Sequence, residues 1–205
     1  MERDELLQSL KKRGFSKEIL DAFSKVKRED FIPKESRIFA YEDTSLPIGE
    51  GQSISQPYTI ATMLSMLKLE TGMKVLEIGS GSGYVLALMS KVVGSKGKAF
   101  GLEIRKQLVQ QSKTSLKDYK NVEVFYAHGK AGLKQKAPFD RIIISAAASE
   151  IPKKIVPQLK EKGIIAAPLG RPYEFSQSLV SYEKVKGKLI LKEKHDGFLF
   201  VPLID

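Results

Sequence analysis

"VLEIGSGSGY", Val75 to Tyr84, sets Gly79, Gly81 and Gly83 directly after a short apolar run and directly before "YVLALMSKVV", a helix-like stretch. Glycines at a strand-to-helix junction allow backbone to approach a nucleotide closely, because no side chain stands between them. The spacing is G-x-G-x-G. A dinucleotide fingerprint would ask for another glycine at position 84, which is Tyr84. Downstream, "KAFGLE", "KQLVQQSKTSLKDY", "VEVFY" and "FDRIIIS" alternate short apolar strands with helical stretches. That rhythm means βαβ units and a parallel sheet, and the continuously apolar "RIII" suits strands covered by helices on both faces. The expected fold is α/β: a doubly wound, mostly parallel, Rossmann-like sheet.

The acids around the glycine loop narrow its ligand. Glu77 sits just before the loop, where a carboxylate repels a pyrophosphate and attracts an ammonium group. S-adenosylmethionine (AdoMet) has that ammonium and a sulfonium, and no phosphate. Glu103 closes "KAFGLE", where an acid accepts hydrogen bonds from both ribose hydroxyls. Loop, preceding acid and ribose acid in one βαβ unit point to AdoMet as the cofactor. His128, followed by Gly129 in "YAHGKAG", lies where such folds place groups near adenine, and a neutral imidazole nitrogen accepts from the exocyclic amine.

Upstream, "RDELLQSLKKR" reads as a helix stopped at Gly14, and Ser16 caps a second run, "KEILDAFSKV". "GEGQSISQP", Gly49 to Pro57, reads as a polar loop opening a third helix, with Ser55 as its N-cap, Pro57 in the first turn, and Ile60, Met63, Leu64 and Leu67 on one face. Beyond the sheet repeat, "KKIVPQLKEKG" reads as a helix, "IIAAPL" as a strand, and "QSLVSYEKV", "KLILKEK" and "GFLFVPL" as a strand-rich finish. A single domain over 1–205 is expected, with a helical and substrate-loop region at 1–70 and the Rossmann-like core at 71–205.

Composition restricts the chemistry further. The 205 residues contain no cysteine and two histidines, which excludes disulfides, thiolate catalysis and cysteine metal sites and leaves little to hold zinc, so no metal is expected. No run of apolar residues reaches membrane-spanning length, and the charged start "MERDELLQSLKKRG" lacks a signal-peptide core, so a cytoplasmic protein is expected. A net charge of +10 raises a nucleic-acid methyltransferase as a competing function. The lysines are interspersed with acids and apolar residues, and neither base-stacking aromatics nor an acceptor motif is evident. A non-catalytic module that kept the fold is the third reading.

Methyl transfer to an amine needs a motif that orients and deprotonates it, whereas the corresponding position here is "SAAAS", Ser145 to Ser149. A carboxylate, with a reference pKa of about 4, is already ionised and needs no general base. Ser53 and Ser55, with N–H groups at the start of the third helix, make a neutral cradle for it.

The chain resembles the protein-L-isoaspartate O-methyltransferases along nearly its whole length. "GFSKEILDAFSKVKREDFIP", "YEDTSLPIGEGQSISQP", "VLEIGSGSGY", "APFDRIIISAAASEIP", "QLKEKGIIAAPLG" and "FVPL" fall in the family's order. The resemblance implies a methyl esterification that repairs L-isoaspartyl, and in some members D-aspartyl, residues of damaged proteins. It implies that Ser55 contacts the substrate carboxyl group and that Ser53 stands where threonine is usual. Glu77, Gly79, Ser80, Gly81 and Gly83 would line the methionine end of AdoMet and Glu103 the ribose. It also implies a seven-stranded sheet whose last strands are reordered, with "FLFVPL" near the substrate opening. Three further positions depart: the family's Gly-Asp-Gly is Ala127, His128 and Gly129, and Tyr58 replaces a frequent histidine.

Overall fold

The computed structural model describes residues 1–171 and 177–204. Helices α1 (Arg3–Lys12) and α2 (Lys17–Lys25) lead into a hairpin of β1 (Leu46–Gly49) and β2 (Gln52–Ile54), then helix α3 (Pro57–Leu67). The sheet repeat follows as β3 (Lys74–Ile78), α4 (Tyr84–Val93), β4 (Lys98–Glu103), α5 (Lys106–Ser115), β5 (Val122–Tyr126), β6 (Phe139–Ile144), β7 (Leu159–Leu169), β8 (Gln177–Val185) and β9 (Lys188–Phe198). The first helix is fixed by a capping box between Glu2 and Glu5, and the second by the Ser16 hydroxyl, which accepts from the Ile19 amide.

Seven strands form one sheet in the order β5-β4-β3-β6-β7-β8-β9. The first five run parallel. β8 and β9 return antiparallel in chain order, the reordered finish that the resemblance implied. Strand order reverses at β3, which lies between β4 and β6, so the loops leaving β3 and β6 open a crevice at the carboxyl ends of the strands. The glycine loop lies in that crevice.

Leu76, Ile78, Ile142 and Ile144 point to one face of the sheet and Val75 and Ile143 to the other, where they join one buried cluster with residues of all five α-helices. The chain is doubly wound, but helices on both faces, as expected from "RIII", are not what covers the second face. That face is closed by short 3-10 turns at Gly129–Ala131, Lys134–Lys136 and Val156–Gln158 and the segments around them. Its crossovers hold too few residues between strands to fit long helices.

Two further expectations are corrected. "KKIVPQLKEKG" is not a helix: after the 3-10 turn the chain is already in β7 at Leu159. Pairing with β6 jumps from Phe139↔Leu159 to Arg141↔Ile164, so "KEKG" is a bulge in which Lys162 takes φ 60°. A bulge with lysines and a terminal glycine imitates a helix end in composition. "GEGQSISQP" is not an open loop either. Glu50 and Gly51, both at positive φ, turn β1 into β2, with Pro47 opposite Ser53.

Candidate active site

The hairpin explains the orientation of the serines. Alternation buries Leu46, Ile48 and Ile54 in the core and turns Ser53 to the open side. Ser55 follows at the entry to α3. The N-cap is Gln56, not Ser55, and it makes no side-chain bond. The Tyr58 amide in the first turn instead donates to Asp43 Oδ1 at 2.8 Å. A carboxylate from an earlier loop suits the positive end of a helix better than a hydroxyl, which leaves Ser55 out of capping. The charge of Asp43 is in turn met by Arg13 at 3.3 Å.

Arg28, fully buried, holds this region together. Its guanidinium donates to the carbonyls of Ala40 (3.0 Å), Glu42 (3.2 Å), Thr44 (3.0 Å) and Ser55 (3.1 Å). The planar fork ties the loop carrying Asp43 to the peptide of Ser55. Nothing in "KVKRED" distinguishes this arginine from its exposed neighbours, so only its burial reveals it.

The carboxyl ends of β3, β4 and β6 form the other half of the crevice. Glu77 is 1% exposed; its Oε1 accepts from the Ser145 hydroxyl at 2.7 Å, and its Oε2 has no hydrogen-bond partner among the described residues. Burial pushes its carboxyl up to about 8, helped by the charge of Glu103 and opposed by the Ser145 hydrogen bond. The Ser80 hydroxyl is also buried without a partner. Glu103, 6% exposed, accepts from the Gly81 and Arg105 amides, each at 2.8 Å. It therefore fixes the glycine loop as well as facing the crevice. Gly79 and Gly81 bend the loop at φ 79° and 51°.

Three cavities with shared walls meet here. One, between the glycine loop and the tail, is lined by Gly79, Gly81, Glu103, Ala127, Gly129 and Leu203. A second, beneath the hairpin, is lined by Glu77, Ser80, Gly81, Tyr84 and Ile60. The third, of about 810 Å³, is lined by Ser55, Gln56, Tyr58, His195 and residues 196–201. Ser53 and Ser145 line all three. Ser55 lines the second and third.

Most residues expected from the sequence thus converge: Ser53, Ser55, Glu77, Gly79, Ser80, Gly81, Glu103 and Gly129. Two do not line these cavities. Gly83 sits at the start of α4, where a Cβ would come within 2.6 Å of Leu116, so it serves helix packing. His128 is exposed while Ala127 and Gly129 beside it face the crevice. Ser145 and His195, given no role from sequence, are at the site. "SAAAS" advertised only small size, and His195 is brought in by pairing across the sheet edge with Leu179. The tail is tied to the cavity wall: the Gln177 side chain accepts from the Phe200 amide at 2.6 Å, and Ala147 exchanges hydrogen bonds with Val201 and Leu203.

A family model described as protein-L-isoaspartate(D-aspartate) O-methyltransferase matches residues 1–205. The chain belongs to this family. A protein-L-isoaspartate O-methyltransferase of Methanococcoides burtonii is 39% identical over 97% of this chain and 98% of its own length. One of Fervidobacterium nodosum is 40% identical over 97% and 99%. A solved protein-L-isoaspartate O-methyltransferase shares the fold at TM-score 0.89 and 30% identity, over 98% of this chain and 65% of that one, so the chain spans about two thirds of its length. A Plasmodium falciparum structure of the same designation, in complex with S-adenosyl-L-homocysteine, matches at TM-score 0.86 and 27% identity over 100% and 99% of the two chains.

The residues present fit AdoMet. An unpartnered carboxylate oxygen and an unpartnered hydroxyl, both buried beside a glycine loop, are an awkward arrangement for an apolar core and a suitable one for a cationic amino acid.

Proposed function

We propose that this protein transfers a methyl group from AdoMet to the free carboxylate of L-isoaspartyl residues in damaged proteins, with D-aspartyl residues as a further substrate class. The observation that carries the reading is the meeting of the buried donor crevice and the serine-lined acceptor cavity at Ser53 and Ser145.

Bound AdoMet supplies an electrophilic methyl carbon on a sulfonium. Glu77 would hold the ammonium of its methionine end, its carboxyl giving up to solvent the proton that burial favours, and Glu103 would hold the ribose. Gly79, Ser80 and Gly81 line the same end. Ser53 and Ser55 donate to the substrate carboxylate from the acceptor side, holding it without neutralising it. No general base is required, because the nucleophile arrives ionised. The gain comes from proximity and from replacing water by a few fixed donors. In the methyl ester formed, a backbone amide nitrogen then attacks the ester carbonyl spontaneously and expels methanol, and water reopens the resulting succinimide partly to normal aspartate.

The same reading takes residues 1–205 as one domain, since Leu6 and Phe23 share a buried cluster with Val75 and Ile143. It takes the protein as cytoplasmic, with no nucleic-acid or membrane partner; among the described residues, no helix is long and apolar enough to cross a membrane. The test is incubation with labelled AdoMet and matched isoaspartyl and aspartyl peptides. Label is expected on the isoaspartyl peptide alone; equal or absent labelling refutes the reading.

A further inference from the structure

Beyond the acceptor cavity lies an open groove of about 610 Å³, lined by Arg13, Phe15, Tyr58, Thr62, Ser65, Met66, Glu193 and His195. Its volume falls within the roughly 300–1,000 Å³ of ordinary ligand pockets. It shares Tyr58 and His195 with the acceptor cavity, so these two side chains form the rim between them. We propose that this groove is a second subsite, which takes an apolar or aromatic side chain from the residue flanking the isoaspartate. The inference rests on the acceptor assignment above and adds a sequence preference to it.

Three features argue for an apolar occupant. The cation at the groove is already matched: Arg13 pairs with Asp43 at 3.3 Å, and the Glu193 carboxylate lies 3.7 Å from the His195 ring. An anionic or cationic guest would have to compete with these partners. Between these charges and the hydroxyls of Thr62 and Ser65, the walls offer two ring faces and a thioether. Tyr58 is held edge-on to Phe15, with centroids 5.9 Å apart, and the Arg13 guanidinium lies over it, 4.4 Å from the ring centre. Met66 closes the side on α3 and is 2% exposed. A rim ring that is already fixed adds little ordering cost to binding.

Geometry supplies the route. An isoaspartyl residue in the acceptor cavity must let the rest of its chain leave, and passage across Tyr58 and His195 places the next side chain over Phe15 and Met66. The pinned Tyr58 thus becomes a specificity-determining residue.

The experiment compares isoaspartyl peptides that carry glycine or phenylalanine on either side of the isoaspartate. Wild-type protein is expected to favour phenylalanine on one side by about fivefold or more in kcat/KM, mainly through KM. Two variants outside the acceptor cavity test the cause. Phe15→Ala removes a wall, and Ser65→Trp fills the groove from an exposed position on α3, leaving the buried side chains of that helix as they are. Both are expected to erase the preference while the glycine-flanked peptide reacts at the wild-type rate. Methylation with no preference, or a preference that survives Ser65→Trp, overturns the subsite alone. Failure of the wild-type protein to methylate any isoaspartyl peptide overturns the acceptor assignment and the subsite with it.

Discussion

The donor and acceptor ends of the crevice are built on opposite electrical plans. At the donor end Glu77 and Glu103 are buried at the ends of adjacent parallel strands, and one oxygen of Glu77 has no partner. At the acceptor end the charges are paired, Asp43 with Arg13 and with an N-terminal amide of α3, and serine hydroxyls line the cavity. A cation and an anion have to be brought together without a base. On the proposed reading, buried acids would hold the first and repel the second, which accords with two such acids beside the glycine loop and with Asp196, the acid that lines the acceptor cavity, being paired to Lys194 and Ser178. The two ends are therefore separable: damage to one should leave the binding step of the other intact.

The largest effect is expected from Glu77→Gln. Losing a buried, charge-assisted contact costs about 2–5 kcal/mol, so AdoMet affinity in calorimetry should fall on the order of 100-fold, with peptide affinity little changed. A parallel loss of peptide binding would show that the ends are not separable. Arg28→Met should follow. Four carbonyls lose their donor, and about 3 kcal/mol or more of stability is expected to go, read from denaturant unfolding; Arg28→Lys should recover part of it. In whichever variant remains folded, peptide KM should rise more than AdoMet Kd, because the guanidinium grips Ser55 and not the glycine loop.

Ser55→Ala should lower turnover by about 10-fold to 100-fold, the worth of one hydrogen bond to a charged group, while AdoMet binding stays within about twofold. A matching collapse of cofactor binding contradicts the assignment. The pH response isolates the donor end. The carboxyl of Glu77 is raised to about 8 from 4.5. Below pH 8 the ammonium must displace a proton, so AdoMet affinity should weaken by up to about tenfold per pH unit as pH falls from 8 toward 6. Without AdoMet the sign concerns stability: the folded chain keeps a proton that the unfolded chain has lost. This group's contribution therefore declines as pH rises from 4.5 to about 8 and is level above that. Glu77→Gln should flatten both profiles. The smallest effect is expected from His128→Ala: an exposed side chain beside the crevice should change AdoMet affinity by less than about threefold.

Much of the donor end was legible in the order of residues, because its function is written in local spacing. A strand, three glycines and an acid at the end of the next strand occupy one βαβ unit, and parallel pairing of β3 with β4 brings the acid to the loop without help from distant segments. The same locality gave "KAFGLE" and "VEVFY" their strand bounds. Where two local signals competed, composition misled. "QLKEKG" has helical residues and a closing glycine, yet it forms a bulge because Leu159 is paired to Phe139 of the neighbouring strand.

The acceptor end could only be assembled by the fold. Asp43 caps a helix 15 residues onward, Arg28 reaches Ser55 across 27, and His195 arrives from the far edge of the sheet. Residue order was enough to specify that a glycine loop and two acids meet in one crevice. Packing settled which serine is released from capping, which arginine is buried, and which aromatic ring guards the rim. The reason is physical: backbone periodicity reaches only a few residues, whereas burial and the pairing of charges depend on whatever the rest of the chain places alongside.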